Sequence, residues 1–251
     1  MKTKAYGSFK SKLDYFNDDL DFMDIVFNNV HRKILSHKDS PYIFKDLNPN
    51  KHISLARRQN RPTSRRLVTN HFKATIYSAY VKDIYEELTH YLRTILRDAS
   101  ASNFDSGRIA AKNNNKDGGI TVPIGDILKQ GSWEKVCEHI SNLIFQSLER
   151  EQSTISLLRK IASKLNLNIS DQIIKDALPY LEIRHFLVHS DGKVDEKFKA
   201  KYPHIDVNSK DFVILSFPFI NEFRTKVHAL IMEYEKEVLR TNLLDSKFLL
   251  R

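Results

Sequence analysis

From Leu67 onward the chain carries an apolar stripe that only a long helix can satisfy. Tyr77, Tyr80, Val81, Ile84, Tyr85, Leu88, Tyr91, Leu92, Ile95 and Leu96 follow one another at three- and four-residue steps without a break, the spacing that stacks side chains on one face of a 3.6-residue helix. Such a helix must lay its stripe against others, and the sequence supplies them. A second is expected from Ser132, an N-cap, through Trp133, Val136, Ile140, Leu143, Ile144 and Leu148. A third follows Ser153, carried by Ile155, Leu158, Ile161 and Leu165. Ser170 or Asp171 caps a fourth, with Ile174, Ala177, Leu178 and Leu181 facing inward and Pro179 expected to kink or restart it. Pro218 opens the last, whose buried stripe is Ile220, Phe223, Val227, Leu230, Ile231, Tyr234 and Val238. Seven glycines and seven prolines in 251 residues are too few to punctuate a sheet protein. The fold class expected is all-α, a bundle of four to five helices.

Less regular segments surround this bundle. HIDVNSKDFVILSF reads as a short hairpin turning at Asn208 to Asp211, and ASNFDSGRIAAKNNNKDGG as an exposed loop. Residues 1–66 read as an N-terminal extension, partly helical where Phe22, Ile25, Val26, Val30 and Ile34 approximate a stripe, and basic toward its end. The helical domain is then residues 67–251. Cys137 is the single cysteine, so no internal disulfide is expected, and the first residues lack the apolar core of a signal peptide. With no apolar run near the roughly 18 to 20 residues that span a bilayer, the expectation is a soluble protein of the reducing cytoplasm, without a membrane partner.

The charge is unevenly placed. Forty Lys and Arg against 31 Asp and Glu give a formal +9. No acidic residue falls between Asp46 and Asp83, whereas Lys51, Arg57, Arg58, Arg61, Arg65, Arg66, Lys73 and Lys82 all do. A carboxylate-free basic segment suits phosphates, so Arg57, Arg58, Arg61, Arg65 and Arg66 are the candidate RNA-binding residues; a solvated helix face is the plainer reading.

The chemistry concentrates in LEIRHFLVHSDG, residues 181–192. There is no glycine-rich phosphate loop, no paired cysteines and no HExxH, which removes nucleotide hydrolysis and zinc peptidase chemistry. Arginine offers a planar fork of donors that matches a phosphate, and histidine moves protons near neutral pH. Together they suit cleavage of RNA, whose own 2′-OH attacks the adjacent phosphorus once a base takes its proton, while an acid protonates the leaving 5′-oxygen. Arg184 would steady the phosphorane and His189 would carry the proton. One copy is short of a full set, and a two-fold dimer placing two motif helices together would complete it.

RHFLVH, from Arg184 to His189, resembles the R-x4-H signature of the HEPN superfamily, in which a polar residue, here His185, follows the arginine. The continuation with Gly192, Val194, Asp195, Glu196 and Phe198 is similar to a glycine and V-D-E-x-F/Y extension of bacterial members. The resemblance covers about residues 67–239. It implies a compact helical bundle and a metal-independent endoribonuclease whose site is composed at a homodimer interface. Arg184 and His189 would be catalytic, with His185 positioning the phosphate or His189, and no cofactor would be needed. The resemblance also implies a role in phage defence or in a toxin–antitoxin pair, with an antitoxin or defence protein as partner; a non-catalytic module binding RNA, a nucleotide or a protein is the alternative.

The residues leave other readings open. Arg184 could pair with Glu182 or Asp191 at a helix surface. His185 and His189, four apart, could hold a metal with Asp191 or His204. Asp191 either supports His189 through a hydrogen bond or shapes the turn. Phe186, Leu187 and Val188 read as core or dimer contacts, and the tyrosines at 77, 80, 85 and 91 as core.

Overall fold

The computed structural model describes residues 1–35, 41–102, 122–149 and 153–250. The expected asparagine loop falls almost wholly outside them. In chain order the elements are β1 (Lys2–Thr3), α1 (Lys4–His31), α2 (Ile53–Ala56), α3 (Pro62–Ala101), α4 (Ile124–Leu128), α5 (Trp133–Glu149), α6 (Thr154–Lys164), α7 (Asp171–His189), α8 (Glu196–Lys201), α9 (Phe217–Arg240) and β2 (Leu249–Leu250). The chain is mostly helical, as its periodicity requires.

The long stripe becomes α3, 40 residues in one piece and about 60 Å from end to end. Pro62 sits in its first turn, where a missing N–H costs nothing. α3 is the axis of the bundle: α1, α5, α7 and α9 all pack on it, and α6 lies against α5 and α7. Tyr77, Val81, Ile84, Leu88, Tyr91, Leu92, Ile95 and Leu96 are buried as their spacing predicts. Two tyrosine hydroxyls find partners across the core, Tyr234 donating to the Leu158 carbonyl at 2.8 Å and Tyr80 to Asn17 Oδ1 at 2.8 Å. Of the expected caps, Ser153 accepts from Ser156 N and Ser132 from Lys135 N, whereas Ser170 takes the N-cap position of α7 without a side-chain bond; Ser216, which the sequence did not single out, accepts from Phe219 N.

Four expectations change. The first helix is no separate extension: Ala5, Tyr6, Phe9, Leu13 and Leu20 share one core with α3, α7 and α9. Its buried side runs through Phe27 and Val30, and Phe22, Ile25 and Ile34 of the expected stripe are exposed. Pro179 does not restart the helix, since α7 continues through it; burial of Ala177, Leu178 and Leu181 on both sides outweighs the lost backbone bond. The expected hairpin is a turn held by isolated bridges, Val207 with Val213 and Lys193 with Phe212. Asn208 Oδ1 accepts from the N–H groups of Lys210 and Phe212. The strand pair lies elsewhere: β1 and β2 join antiparallel, Lys2 opposite Leu250 and Thr3 opposite Leu249.

One buried ionic cluster ties the ends of the chain to the core. Glu235 of α9 is 2% exposed. Its carboxylate accepts from Thr3 N, from Thr3 Oγ1 at 2.8 Å and from the Tyr91 hydroxyl at 3.1 Å. Burial and the neighbouring Glu235 charge hold the Tyr91 hydroxyl well above the ordinary tyrosine range, so it remains a donor. Among the described residues no helix is long and apolar enough to cross a membrane.

Candidate active site

α7 delivers the motif to an open groove and then stops. Ser190 N and Gly192 N both donate to the Phe186 carbonyl at 2.9 Å. Asp191 and Gly192 take φ of +50° and +89°, the left-handed geometry that closes a helix. Asp191 therefore shapes the turn; no hydrogen bond joins it to His189 among the described residues. A Cβ on Gly192 would stand 3.2 Å from Leu187 Cδ2, so both the angle and the space call for glycine.

The groove encloses about 710 Å³ between α3, the end of α5, the start of α6 and α7. Arg184, His185 and His189 all line it, with Tyr85 opposite and Glu149, Ser153 and Thr154 at its edge. The imidazoles of His185 and His189 are exposed and 4.7 Å apart between ring centres. Val188, also exposed, lies beside them on the same face. Phe186 packs on Phe198 at 5.1 Å and Leu187 is buried, so these two anchor α7.

Arg184 is held without being neutralised. Its guanidinium carbon lies 5.0 Å from the centre of the Tyr85 ring, a cation–π contact. Its Nε is buried and has no hydrogen-bond partner. Glu182, the neighbour that could have claimed it, is taken by Lys201 at 2.9 Å. Among the described residues no carboxylate forms an ion pair with Arg184. Among the described residues the fork of donors is thus left unoccupied beside the groove, the condition for receiving an oxyanion.

The basic segment behaves differently. Arg57, Arg61 and Arg66 are exposed and Arg58 half-buried, but Arg65 is only 8% exposed and gives its Nη1 to Asn60 Oδ1 at 2.6 Å. Arg65 is a brace for the start of α3 and not a surface contact. Arg66 precedes Tyr85 by 19 helical positions on α3, about 28 Å, so this tip is a region separate from the groove. His204 lies against Tyr202 at 6.3 Å. No group of three or more His, Cys, Asp or Glu that could hold a metal occurs among the described residues.

Sequence reasoning missed the α3 wall of the site. Tyr85, Thr89 and Arg93 are four apart and form one row beside the buried stripe. An arginine and a threonine continuing a row that a tyrosine begins was the available signal. No family model, curated protein or solved structure matches this chain.

Proposed function

We propose that the protein is a metal-independent endoribonuclease of HEPN type. The observation that carries this reading is the groove itself, where an arginine with no acidic partner among the described residues, stacked on Tyr85, stands beside two exposed histidines. In the proposed reaction the 2′-oxygen bonds to phosphorus and the P–O5′ bond breaks. A histidine takes the 2′-OH proton, and a second proton carrier gives one to O5′. Arg184 stabilises the charge on the phosphorane oxygens, and His185 positions the phosphate or His189. The products are a 2′,3′-cyclic phosphate and a 5′-hydroxyl.

A single groove supplies one guanidinium, and two-fold pairing of motif faces would double it. Exposed Val188 beside His185 and His189 supports such a homodimer, because it puts an apolar contact next to the polar ones. The exposed Arg57, Arg61 and Arg66 would steer RNA toward the pair. On the family resemblance, the setting is cytoplasmic phage defence or a toxin–antitoxin pair with a partner protein.

The test is RNA cleavage with and without EDTA by wild type, Arg184→Ala and His189→Ala, with the product ends identified. EDTA-resistant cutting that leaves cyclic phosphates and is lost in both variants is the expected result. Binding without cutting would replace the enzyme by a non-catalytic RNA-binding module. Mixing the two inactive variants should restore part of the activity if the site is shared between subunits.

A further inference from the structure

Arg184 borders a second cavity as well. A pocket of about 390 Å³ opens between α1, α3 and the end of α5, and Tyr85, Glu149 and Arg184 line both it and the motif groove. The two form one continuous trough with Arg184 at the join. Arg93, also lining the second pocket, is held as Arg184 is: its guanidinium lies 4.6 Å from the centre of the Phe145 ring. Its nearest acidic contact, Glu149, is 3.8 Å away, beyond hydrogen-bond reach.

This pocket gathers unfinished hydrogen bonding. Among the described residues, Glu87 Oε2, Arg93 Nε and Arg184 Nε are all buried without a partner. Elsewhere among the described residues only Tyr77, Tyr202 and Asn221 have a side-chain atom in that state. Buried polar groups left open carry their full desolvation cost, and a cluster of them in one cavity wall marks a place where something else completes the bonding.

The charges say what that is. Lys12, Arg93 and Arg184 face Glu86, Glu87 and Glu149, so the lining is balanced. A further phosphate would meet three carboxylates. A neutral group carrying both donors and acceptors meets complementary partners, and in a groove that holds RNA this group is a base. Guanine alone among the four presents two adjacent donors, N1–H and N2–H, to a carboxylate, together with two acceptors, O6 and N7, to an arginine.

We propose that this pocket is the base subsite for the nucleotide adjoining the scissile phosphate and that it selects guanine, Glu149 accepting from N1–H and N2–H and Arg93 donating to the acceptor edge. That the occupant is an RNA base, and that it lies beside a scissile phosphate, rests on the proposed function; the preference for guanine over the other bases rests on the lining alone.

The experiment measures binding of two uncleavable 2′-O-methyl hexanucleotides, UUGUUU and UUUUUU, by fluorescence anisotropy. Wild type should bind the guanine probe at least tenfold more tightly, and Glu149→Gln and Arg93→Gln should each bring the two probes within about twofold. Arg93 and Glu149 are 41% and 42% exposed, so both variants should fold like wild type by circular dichroism. Equal affinities in wild type, binding of neither probe, or a guanine preference that survives both substitutions would overturn the assignment. The same two sequences synthesised with unmodified ribose, incubated with wild type and assayed for cleavage, score the ribonuclease reading separately. Cutting without guanine preference removes the base subsite alone, and guanine-selective binding without cutting removes the nuclease alone.

Discussion

Two charged clusters flank the middle of α3, and they are finished to different degrees. At Glu235 a nearly inaccessible carboxylate takes three hydrogen bonds from Thr3 and Tyr91. At Arg184 and Arg93, half-buried guanidiniums rest on aromatic rings, make no hydrogen bond among the described residues and keep buried Nε groups open. A charge that serves the fold is completed by the fold. A charge resting mainly on an aromatic face is oriented at little electrostatic cost and left available. The difference separates a structural ion from the two proposed to bind a ligand.

Substitution tests that contrast directly. Glu235→Ala strands the Thr3 and Tyr91 donors in the core and should cost about 3 kcal/mol in urea unfolding, with no direct effect on the groove. Arg184→Ala should cost under about 1 kcal/mol while losing cleavage by about 10²–10³-fold. If Arg184→Ala unfolds the chain as readily as Glu235→Ala, the contrast is lost.

Gly192→Ala should cost about 1–2 kcal/mol, since the left-handed turn penalises a Cβ and this one meets Leu187. Cleavage should fall with it because the turn sets the end of α7; unchanged stability would show the turn is not strained.

Tyr85→Leu should leave unfolding nearly unchanged and slow cleavage by between about twofold and fivefold, the worth of a partly exposed cation–π contact. Tyr85→Phe, which keeps the ring, should restore the rate; an equal loss in both variants would mean the hydroxyl acts instead.

The smallest effect is in pH. Burial, then the charges of Lys10 and Lys2, hold the His228 imidazole below its ordinary 6.5, against a weaker opposing pull from Asp14. Tyr6 Oη lies 3.2 Å from its Nε2. The unfolded chain takes up a proton near pH 6.5 and the folded protein resists it, so stability is full above that pH and declines as pH falls toward the lower folded value. His228→Gln should flatten that decline between pH 7 and 5 in urea titrations.

The sequence revealed elements wherever one periodicity dominated. α3 was legible because its stripe has no competitor, and Ser153 because its hydroxyl precedes a clear apolar run. α1 was not, because two stripes compete along it. Phe22, Ile25 and Ile34 are as apolar as Phe9, Leu13, Leu20 and Phe27, and only the position of α3 decides which are covered. The pairing of β1 with β2 joins residues too far apart and too few to leave a local pattern. Within the site, Arg184, His185 and His189 stood out as polar residues in an apolar run. Tyr85 and Arg93 did not, because they border the very stripe that identifies the core, and nothing in the neighbours of Arg65 announces its bond to Asn60.

α3 also has a mechanical consequence. The same uninterrupted rod carries Arg61 and Arg66 near one end and Tyr85, Glu86 and Arg93 along the wall of the trough. Pivoted at Tyr85, a rotation of about 5° would swing Arg66 by about 2.5 Å, given the rise of a helix. A ligand gripping the basic tip therefore has a lever on the tilt of the Tyr85 ring beneath the guanidinium stacked against it.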